Sequence, residues 1–174
     1  MPQPTVTPIH KGRIIDVRLE QLTLPNGVMV TLEMVRHPGA SAVVALDANS
    51  CVTLIHQFRH AAGGFIWEIP AGTLNAGEAP LACAQRELRE ETGLLADEWV
   101  ALGSIFTAPG FCDERIHLFL ARGLSASTQK LDHDEVLSVS RVPLERALEM
   151  IGADALQDAK SIAGLHRAAA YLQR

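Results

Sequence analysis

The sequence has few cysteines, no long apolar run and no basic stripe, and each absence argues against a class of protein. Its 174 residues include three cysteines, Cys51, Cys83 and Cys112, an odd number without Cys-x-x-Cys spacing, so we expect neither a disulfide framework nor a zinc site. Because no stretch of 18 apolar residues occurs, no membrane-spanning helix is predicted. The net charge of −5 and the absence of a basic stripe argue against a nucleic-acid partner.

The sequence also lacks the features of a signal peptide and histidines at metal-ligand spacing. The N-terminus lacks the charged and apolar regions of a signal peptide, so a cytoplasmic location is expected. None of the seven histidines has ligand spacing with another histidine or cysteine. His56 and His60 are four residues apart, but a strand does not bring such positions together. With 48% apolar and 20% charged residues, the chain has the length and composition of a single globular domain with a sizeable core.

An acidic cluster is the most informative feature that is present. Glu87, Glu90 and Glu91 stand at i, i+3 and i+4 of a predicted helix, which places them within an arc of roughly 100°. We expect Glu91 to lie on the solvent side of this helix. Like charges at this spacing repel one another. The cluster is explained if a divalent cation binds there, and Mg²⁺ prefers such oxygen ligands. The alternative is an acidic face of a helix that only contacts solvent.

The residues around the cluster predict a helix over 79–92 with a loop before it. Pro80 suits the first turn of this helix, and Gly93 suits a left-handed cap at its end. The glycine-rich loop 72–77 would let the backbone approach a metal or a phosphate. An apolar stripe on the neighbouring face is expected to pack against the core, and consists of Leu81, Ala84 and Leu88.

The spacing across residues 72–94 resembles the Nudix box. The matching positions are Gly72, Glu78, Arg86, Glu87, Leu88, Glu90, Glu91, Gly93 and Leu94. The resemblance implies a Nudix hydrolase, which cleaves nucleoside diphosphates linked to another moiety. It also implies that Glu78 and Arg86 form a structural ion pair. The metal would be two or three Mg²⁺, or Mn²⁺, bound by Glu87, Glu90, Glu91 and the carbonyl of Ala71.

The periodicity along the chain predicts a mixed α/β or α+β protein, and the resemblance implies an α/β/α sandwich around a mixed sheet. Residues 1–37 would form an N-terminal strand segment ahead of a catalytic domain at 38–174. The predicted strands are 12–24, 27–37, 40–46 and 51–58 (the last two as a hairpin), 65–69, 98–106, 114–121 and 134–142. The predicted helices after the box are 143–151 and 160–173, the second capped by Asp158 or Ser161.

Segments outside the box are similar to the ADP-ribose pyrophosphatase branch of the family. They are Gln57–His60, Trp67–Gly72, Pro109 at sixteen residues past Gly93, and Asp158–Ser161. The resemblance implies hydrolysis of ADP-ribose to AMP and ribose 5-phosphate. The residues expected to bind this substrate are Arg59, Glu68, Pro109 and Glu114. Alternatives remain open, because Pro109 could only form a turn and Arg59 could be a surface charge.

An acidic loop at 131–136 supplies the remaining catalytic candidates. In this resemblance Glu135 is expected to be a metal ligand or general base, with Asp134 as the second choice and Glu90 close to the metal. The alternative is an exposed acidic loop without a role in chemistry.

Other functions remain open as well. The substrate could be another nucleoside diphosphate sugar, FAD or a dNTP. A protein of another class, a Nudix-fold sensor that binds nucleotides without turnover, generally lacks a glutamate of the box, and this chain keeps all of them.

The N-terminal segment predicts a homodimer. Its alternating apolar residues would leave a lone hairpin only marginally stable, so it needs another surface. That surface could belong to its own domain, but the resemblance implies exchange of the segment across a two-fold axis, so that both chains build each adenine pocket.

Overall fold

Three sheets and three α-helices make up the computed structural model, which describes residues 3–174. The strands are β1 Thr5–Lys11, β2 Asp16–Thr23, β3 Met29–Arg36, β4 Ala40–Ala45, β5 Cys51–Arg59, β6 Gly64–Glu68, β7 Ala71–Thr73, β8 Leu94–Phe106, β9 Arg115–Ala126 and β10 Leu137–Pro143. The helices are α1 Pro80–Thr92, α2 Leu144–Gly152 and α3 Ala159–Leu172, with a single 3-10 turn at His60–Ala62. Within residues 3–174, no helix combines the length and the apolar character needed to cross a membrane.

The central sheet has the strand order β7-β4-β9-β8, with β4 parallel to β9 and the other pairs antiparallel. All six residues of β4 are buried, as expected for a short apolar strand covered on both faces. On one face Val43 packs with Ala84 and Leu88 of α1. On the other face Val44 joins a core that includes Leu165 of α3. Helices therefore lie on both faces of a mixed sheet, which confirms the predicted fold class.

The predicted hairpin of residues 40–46 and 51–58 is wrong, although both strands exist. β4 lies in the central sheet, whereas β5 lies in a second antiparallel sheet with the order β10-β5-β6. The two strands share only the isolated bridge between Leu46 and Val52. The turn signal after β4 was read correctly, but both strands are largely buried and each has a partner distant in sequence, β9 for β4 and β10 for β5. Local turn chemistry does not encode those partners.

The N-terminal segment forms a third antiparallel sheet with the order β1-β2-β3, so the prediction of two strands missed β1. Pro8 lies within β1, and proline argues against a central strand but is tolerated at a sheet edge. The predicted strand 12–24 began too early, because the chain turns at Gly12, whose N–H donates to Ile15 O at 2.8 Å.

Helix α1 ends as predicted but packs differently in its first turn. Pro80 occupies the first turn, and Gly93 caps the helix at φ 68°. Ala84 and Leu88 are buried, whereas Leu81 is 39% exposed, so its place in the apolar stripe was wrong. Cys83 is buried instead, with its thiol 3.4 Å from Gly72 O. Helices α2 and α3 confirm their predictions, and Asp158 caps α3 through Ser161 N.

Candidate active site

A cleft of about 1220 Å³ lies between α1, the ends of β5 to β7 and the loops that precede β9 and β10. It brings together segments that are far apart in the sequence, including Arg59, Glu91 and Glu135. Most of the predicted site residues line it. They are Arg59, Glu68, Ala71, Gly72, Arg86, Glu87, Glu90, Glu91, Glu114, Asp134 and Glu135.

Two carboxylates of the α1 arc are buried against β7. Glu87 is 8% exposed and Glu91 is 1% exposed, so the expectation that Glu91 lies on the solvent side of the helix is wrong. Glu91 Oε2 accepts a hydrogen bond from Ala71 N at 2.8 Å, which ties the helix to the strand. Burial raises the pKa of Glu91 well above its usual range, and the charge of Glu87 raises it further. A bound cation would stabilise the ionised forms of Glu87 and Glu91.

Gly72 makes room for one of these carboxylates. A Cβ at this position would stand 1.9 Å from Glu87 Oε1, far inside van der Waals contact. Any side chain at position 72 would therefore displace the Glu87 carboxylate. The glycine is needed for close approach rather than for a special backbone angle.

Arg86 holds the other side of the arc. Its guanidinium donates to Glu78 at 2.8 and 2.9 Å, which is the predicted ion pair between the loop and the helix. It also contacts Glu87 Oε1 at 2.5 Å and Glu90 Oε2 at 3.2 Å. The hydrogen bond from Arg86 lowers the pKa of Glu78 to about 2. Glu90 is therefore engaged by Arg86, whereas Glu91 has no arginine partner among residues 3–174.

The donors suit a hard divalent cation, although they do not form a closed cage. Among residues 3–174, no three acidic, histidine or cysteine side chains stand close enough to hold an ion by themselves. Glu87 and Glu91 supply buried carboxylate oxygens, and burial also raises the pKa of Glu87. A cation would offset this desolvation, and Mg²⁺ usually keeps several waters beside one or two carboxylates. The residues present thus fit such an ion.

The acidic loop before β10 reaches the cleft through Glu135. Glu135 lines the same cleft as Glu87 and Glu91, and its charge contributes to the raised pKa values of both. Its Oε2 accepts from Asp132 N at 2.9 Å. Asp134 is exposed and lies 3.9 Å from Arg13 of the N-terminal segment. The geometry favours Glu135 over Asp134, and their catalytic roles stay predictions.

The substrate candidates divide into cleft residues and one loop residue. Arg59 and Glu68 form a double hydrogen bond at 2.7 and 2.9 Å on one wall of the cleft. Glu114 lines the cleft and accepts from Thr107 Oγ1 at 2.8 Å. Pro109 is exposed in the loop between β8 and β9 and is not among the residues that line the cleft. A role for Pro109 therefore stays a prediction.

Comparison with known proteins agrees with this geometry. The model of the NUDIX domain matches residues 35–165, which contain α1, the carboxylates and the cleft walls. The chain belongs to the Nudix family. These findings support an enzyme, a Nudix pyrophosphohydrolase. Hydrolases of this family generally need a divalent metal.

Individual relatives extend the likeness beyond the domain. An ADP-ribose pyrophosphatase of Bacillus subtilis (strain 168) is 43% identical over 155 residues, which cover 88% of this chain and 84% of the relative. A methanol dehydrogenase activator of Bacillus methanolicus is 40% identical over 95% of this chain and 88% of its own. The crystal structure of an ADP compounds hydrolase superposes with a TM-score of 0.83 at 22% identity, covering 99% and 96% of the two chains. That structure shows the shared fold.

Two cleft residues were absent from the predicted site of this Nudix protein. Lys160 comes from α3 and Gln57 from β5, and both line the cleft. Gln57 is 4% exposed, and its Oε1 has no hydrogen-bond partner within residues 3–174. Both residues lie in segments that are similar to ADP-ribose pyrophosphatases, which was the only signal available. Their convergence depends on the first turn of α3, where Lys160 and Ser161 contact residues at the end of β6.

Proposed function

We propose that this protein hydrolyses the diphosphate bond of ADP-ribose to AMP and ribose 5-phosphate, with Mg²⁺ or Mn²⁺ as cofactor. The observation that carries the proposal is the buried pair Glu87 and Glu91 in a cleft whose other wall presents Arg59. Anionic and cationic groups thus face one cavity, as recognition of a metal-bound diphosphate requires. The name of the Bacillus subtilis relative, ADP-ribose pyrophosphatase, supports ADP-ribose as the substrate.

The buried carboxylates would hold the cation. Glu87, Glu91 and the Ala71 carbonyl are the ligands that we assign, with Glu90 beside them. When bound there, a divalent cation neutralises charge on the diphosphate and lowers the pKa of a coordinated water. Gly72 keeps the space into which Glu87 projects.

The other residues orient the substrate and move the proton. Arg59 binds a phosphoryl oxygen, and Glu135 accepts the proton of the attacking water, with Asp134 as the second candidate. The new O–P bond forms as the bridging P–O bond breaks, and the leaving phosphate carries the charge. Glu68 fixes Arg59, whereas Glu114 and Pro109 are assigned to the outer part of the substrate.

We also propose that the protein is a homodimer through the segment at 1–37, with the catalytic domain at 38–174. Many apolar side chains of this segment are exposed in the single chain: Val6, Ile9, Ile14, Ile15, Val28, Met29 and Leu32. An apolar surface of this kind is typical of an interaction site. We propose a cytoplasmic location on the basis of the sequence.

A substrate panel tests the proposal. The purified protein would be assayed for kcat/KM with ADP-ribose, ADP-glucose, GDP-mannose, NADH, FAD and dNTPs. We expect the highest kcat/KM for ADP-ribose. A preference for dNTPs, or pyrophosphate as the main product, would contradict the substrate but leave the Nudix assignment intact. Tight binding of ADP-ribose without any turnover would instead indicate a nucleotide sensor.

A further inference from the structure

Lys160 is a largely enclosed charge that the proposed reaction does not use. It lies in the first turn of α3, lines the cleft, and has 11% of its side chain exposed. Its Nζ is 2.6 Å from Glu68 Oε2 and 3.0 Å from Asp158 Oδ2. A buried ammonium group needs such partners, because an unpaired charge away from water is strongly disfavoured. Lys160 is therefore part of an ordered ionic network.

Glu68 is shared between Lys160 and Arg59. Only 2% of its side chain is exposed, and its two oxygens accept from Arg59 Nε at 2.7 Å and from Arg59 Nη2 at 2.9 Å. Burial raises the pKa of Glu68, but the hydrogen bond from Arg59 and the charge of Lys160 outweigh it, so the net pKa lies below its ordinary value. The ionised carboxylate thus bridges two cations on the cleft wall.

The double hydrogen bond fixes one edge of the Arg59 guanidinium and leaves the other edge free. Nε and Nη2 face Glu68, whereas Nη1 has no hydrogen-bond acceptor within the described range 3–174. The Arg59 side chain is 41% exposed on the cleft wall. A planar guanidinium held in this way can offer its second edge to a phosphate.

The start of α3 is itself anchored to the strand that carries Glu68. Asp158 accepts from Ser161 N at 2.9 Å and caps the helix. Ser161 Oγ accepts from Ile69 N at 2.8 Å, one residue after Glu68. These two hydrogen bonds fix the backbone at Lys160 relative to the end of β6. The position from which the Lys160 side chain extends is therefore fixed as well.

We propose that Lys160 is a positioning residue which, through Glu68, holds the Arg59 guanidinium so that its free edge binds the diphosphate. This inference deepens the proposed function and rests on the assignment of Arg59 to that diphosphate. Lys160 acts without touching the substrate. Loss of its charge leaves Glu68 with one cation and lets the Glu68–Arg59 pair shift, which weakens substrate binding more than turnover.

A double-mutant cycle tests the link. Lys160→Met removes the charge and keeps most of the length of the side chain, Arg59→Met removes the guanidinium, and the double variant combines them. The readouts are KM and kcat for ADP-ribose, and the Kd for ADP without metal by calorimetry. Lys160→Met is expected to raise KM and Kd about tenfold and to change kcat less than about threefold. On the Arg59→Met background it should add less than about twofold.

Further variants separate the alternatives. Lys160→Arg keeps the charge and should restore most of the affinity. Glu68→Gln breaks the same link from its centre, so it should raise KM like Lys160→Met and serves if that variant fails to fold. Additive losses in the cycle would mean that Lys160 contacts the diphosphate itself, and would overturn the proposal. A lowered Tm with unchanged KM and Kd would overturn it too, since Lys160 would then only stabilise the fold.

The ADP arm keeps this test separate from the proposed function. If the wild type fails to hydrolyse ADP-ribose, the proposed substrate is wrong, while the ADP cycle still decides whether Lys160 acts through Arg59. If Arg59→Met leaves the Kd for ADP unchanged, Arg59 does not bind a diphosphate, and the inference is overturned.

Discussion

Glu91 shows, at the scale of the single residue, which information the sequence carries and which it lacks. The spacing of Glu87, Glu90 and Glu91 identified a common side of α1 and a candidate metal site. It did not show that β7 covers two of the three, because burial depends on a neighbour that the spacing of a helix does not reveal. Arg86 divides the arc further by engaging Glu90. The shared side of the helix was predictable, but the burial of these residues was not.

Replacing Glu91 by glutamine tests the buried carboxylate. The neutral amide can still accept from Ala71 N, and it removes a desolvated charge from the metal-free protein, so we expect an unchanged or higher Tm. Activity should fall by about 10³-fold or more, because the cation loses a ligand. Kinetics at saturating Mg²⁺ and thermal unfolding would be measured together. More than about a tenth of the wild-type kcat would rule out Glu91 as a ligand.

A second prediction at this scale concerns Gly72. In Gly72→Ala the new Cβ must displace the flexible end of Glu87, which lies 1.9 Å from that position, so the fold should persist while metal binding weakens. We expect a loss of kcat of about 10²-fold or more, with a higher Mg²⁺ requirement. Gly152→Ala is the matched control, since a Cβ there meets nothing within 4 Å. If Gly72→Ala and Gly152→Ala had equal kinetics, the Glu87 carboxylate would not depend on the space left by Gly72.

At the scale of elements, predictions succeeded where local chemistry decides the structure. Pro80, Gly93 and the periodic apolar residues between them gave α1 within one residue, and Asp158 was correctly among the candidates to cap α3. Predictions failed where distant pairing decides. β4 and β5 looked like a hairpin but belong to different sheets, and Pro8 concealed the edge strand β1.

The ion pair between the loop 73–78 and α1 gives a prediction for the pH dependence of stability. The folded pKa of Glu78, about 2, lies below its ordinary value, so the ionised pair stabilises the fold above the unfolded pKa of about 4.3. That contribution is lost as the pH falls through this window. Glu78→Gln should therefore lower the free energy of unfolding by about 1–3 kcal/mol at pH 7 and flatten its decline between about pH 5 and 2.

Urea unfolding at several pH values would measure this effect. Exposed Glu145 in α2 provides a control, because Glu145→Gln should leave the pH profile close to that of the wild type. A Glu78→Gln variant with the acid-dependent decline of the wild type would show that the ion pair does not tie the loop to the helix.

At the scale of the whole molecule, the cleft unites residues from nearly every part of the chain. The box supplied its carboxylate side, but the wall formed by Arg59, Glu68 and Lys160 required the start of α3 to contact the end of β6. The turn between β1 and β2 also reaches this cleft, since Arg13 lines it and lies 3.9 Å from Asp134. Tertiary packing of this kind leaves only weak traces in a single sequence, and family resemblance supplied the rest.

The homodimer gives a prediction at this scale. Deletion of residues 1–37 should remove the exposed apolar sheet and yield monomers with weaker ADP-ribose binding, because each proposed substrate pocket then loses the partner segment. Light scattering and calorimetry would compare the truncated and full chains. Asp113 would lose its hydrogen bonds to Arg36 and His37, so thermal unfolding must confirm that the shortened protein is folded. A fully active wild-type monomer at micromolar concentration would contradict the dimer.

Metal-dependent cleavage of ADP-ribose is the central claim, and product analysis tests it most directly. The purified wild-type protein would be incubated with ADP-ribose in EDTA and then with excess Mg²⁺, and the products separated by chromatography. The buried Glu87 and Glu91 beside Arg59 predict no turnover in EDTA, and equal amounts of AMP and ribose 5-phosphate once Mg²⁺ is added. Equal turnover in EDTA and in Mg²⁺, or products other than these two, would contradict the account.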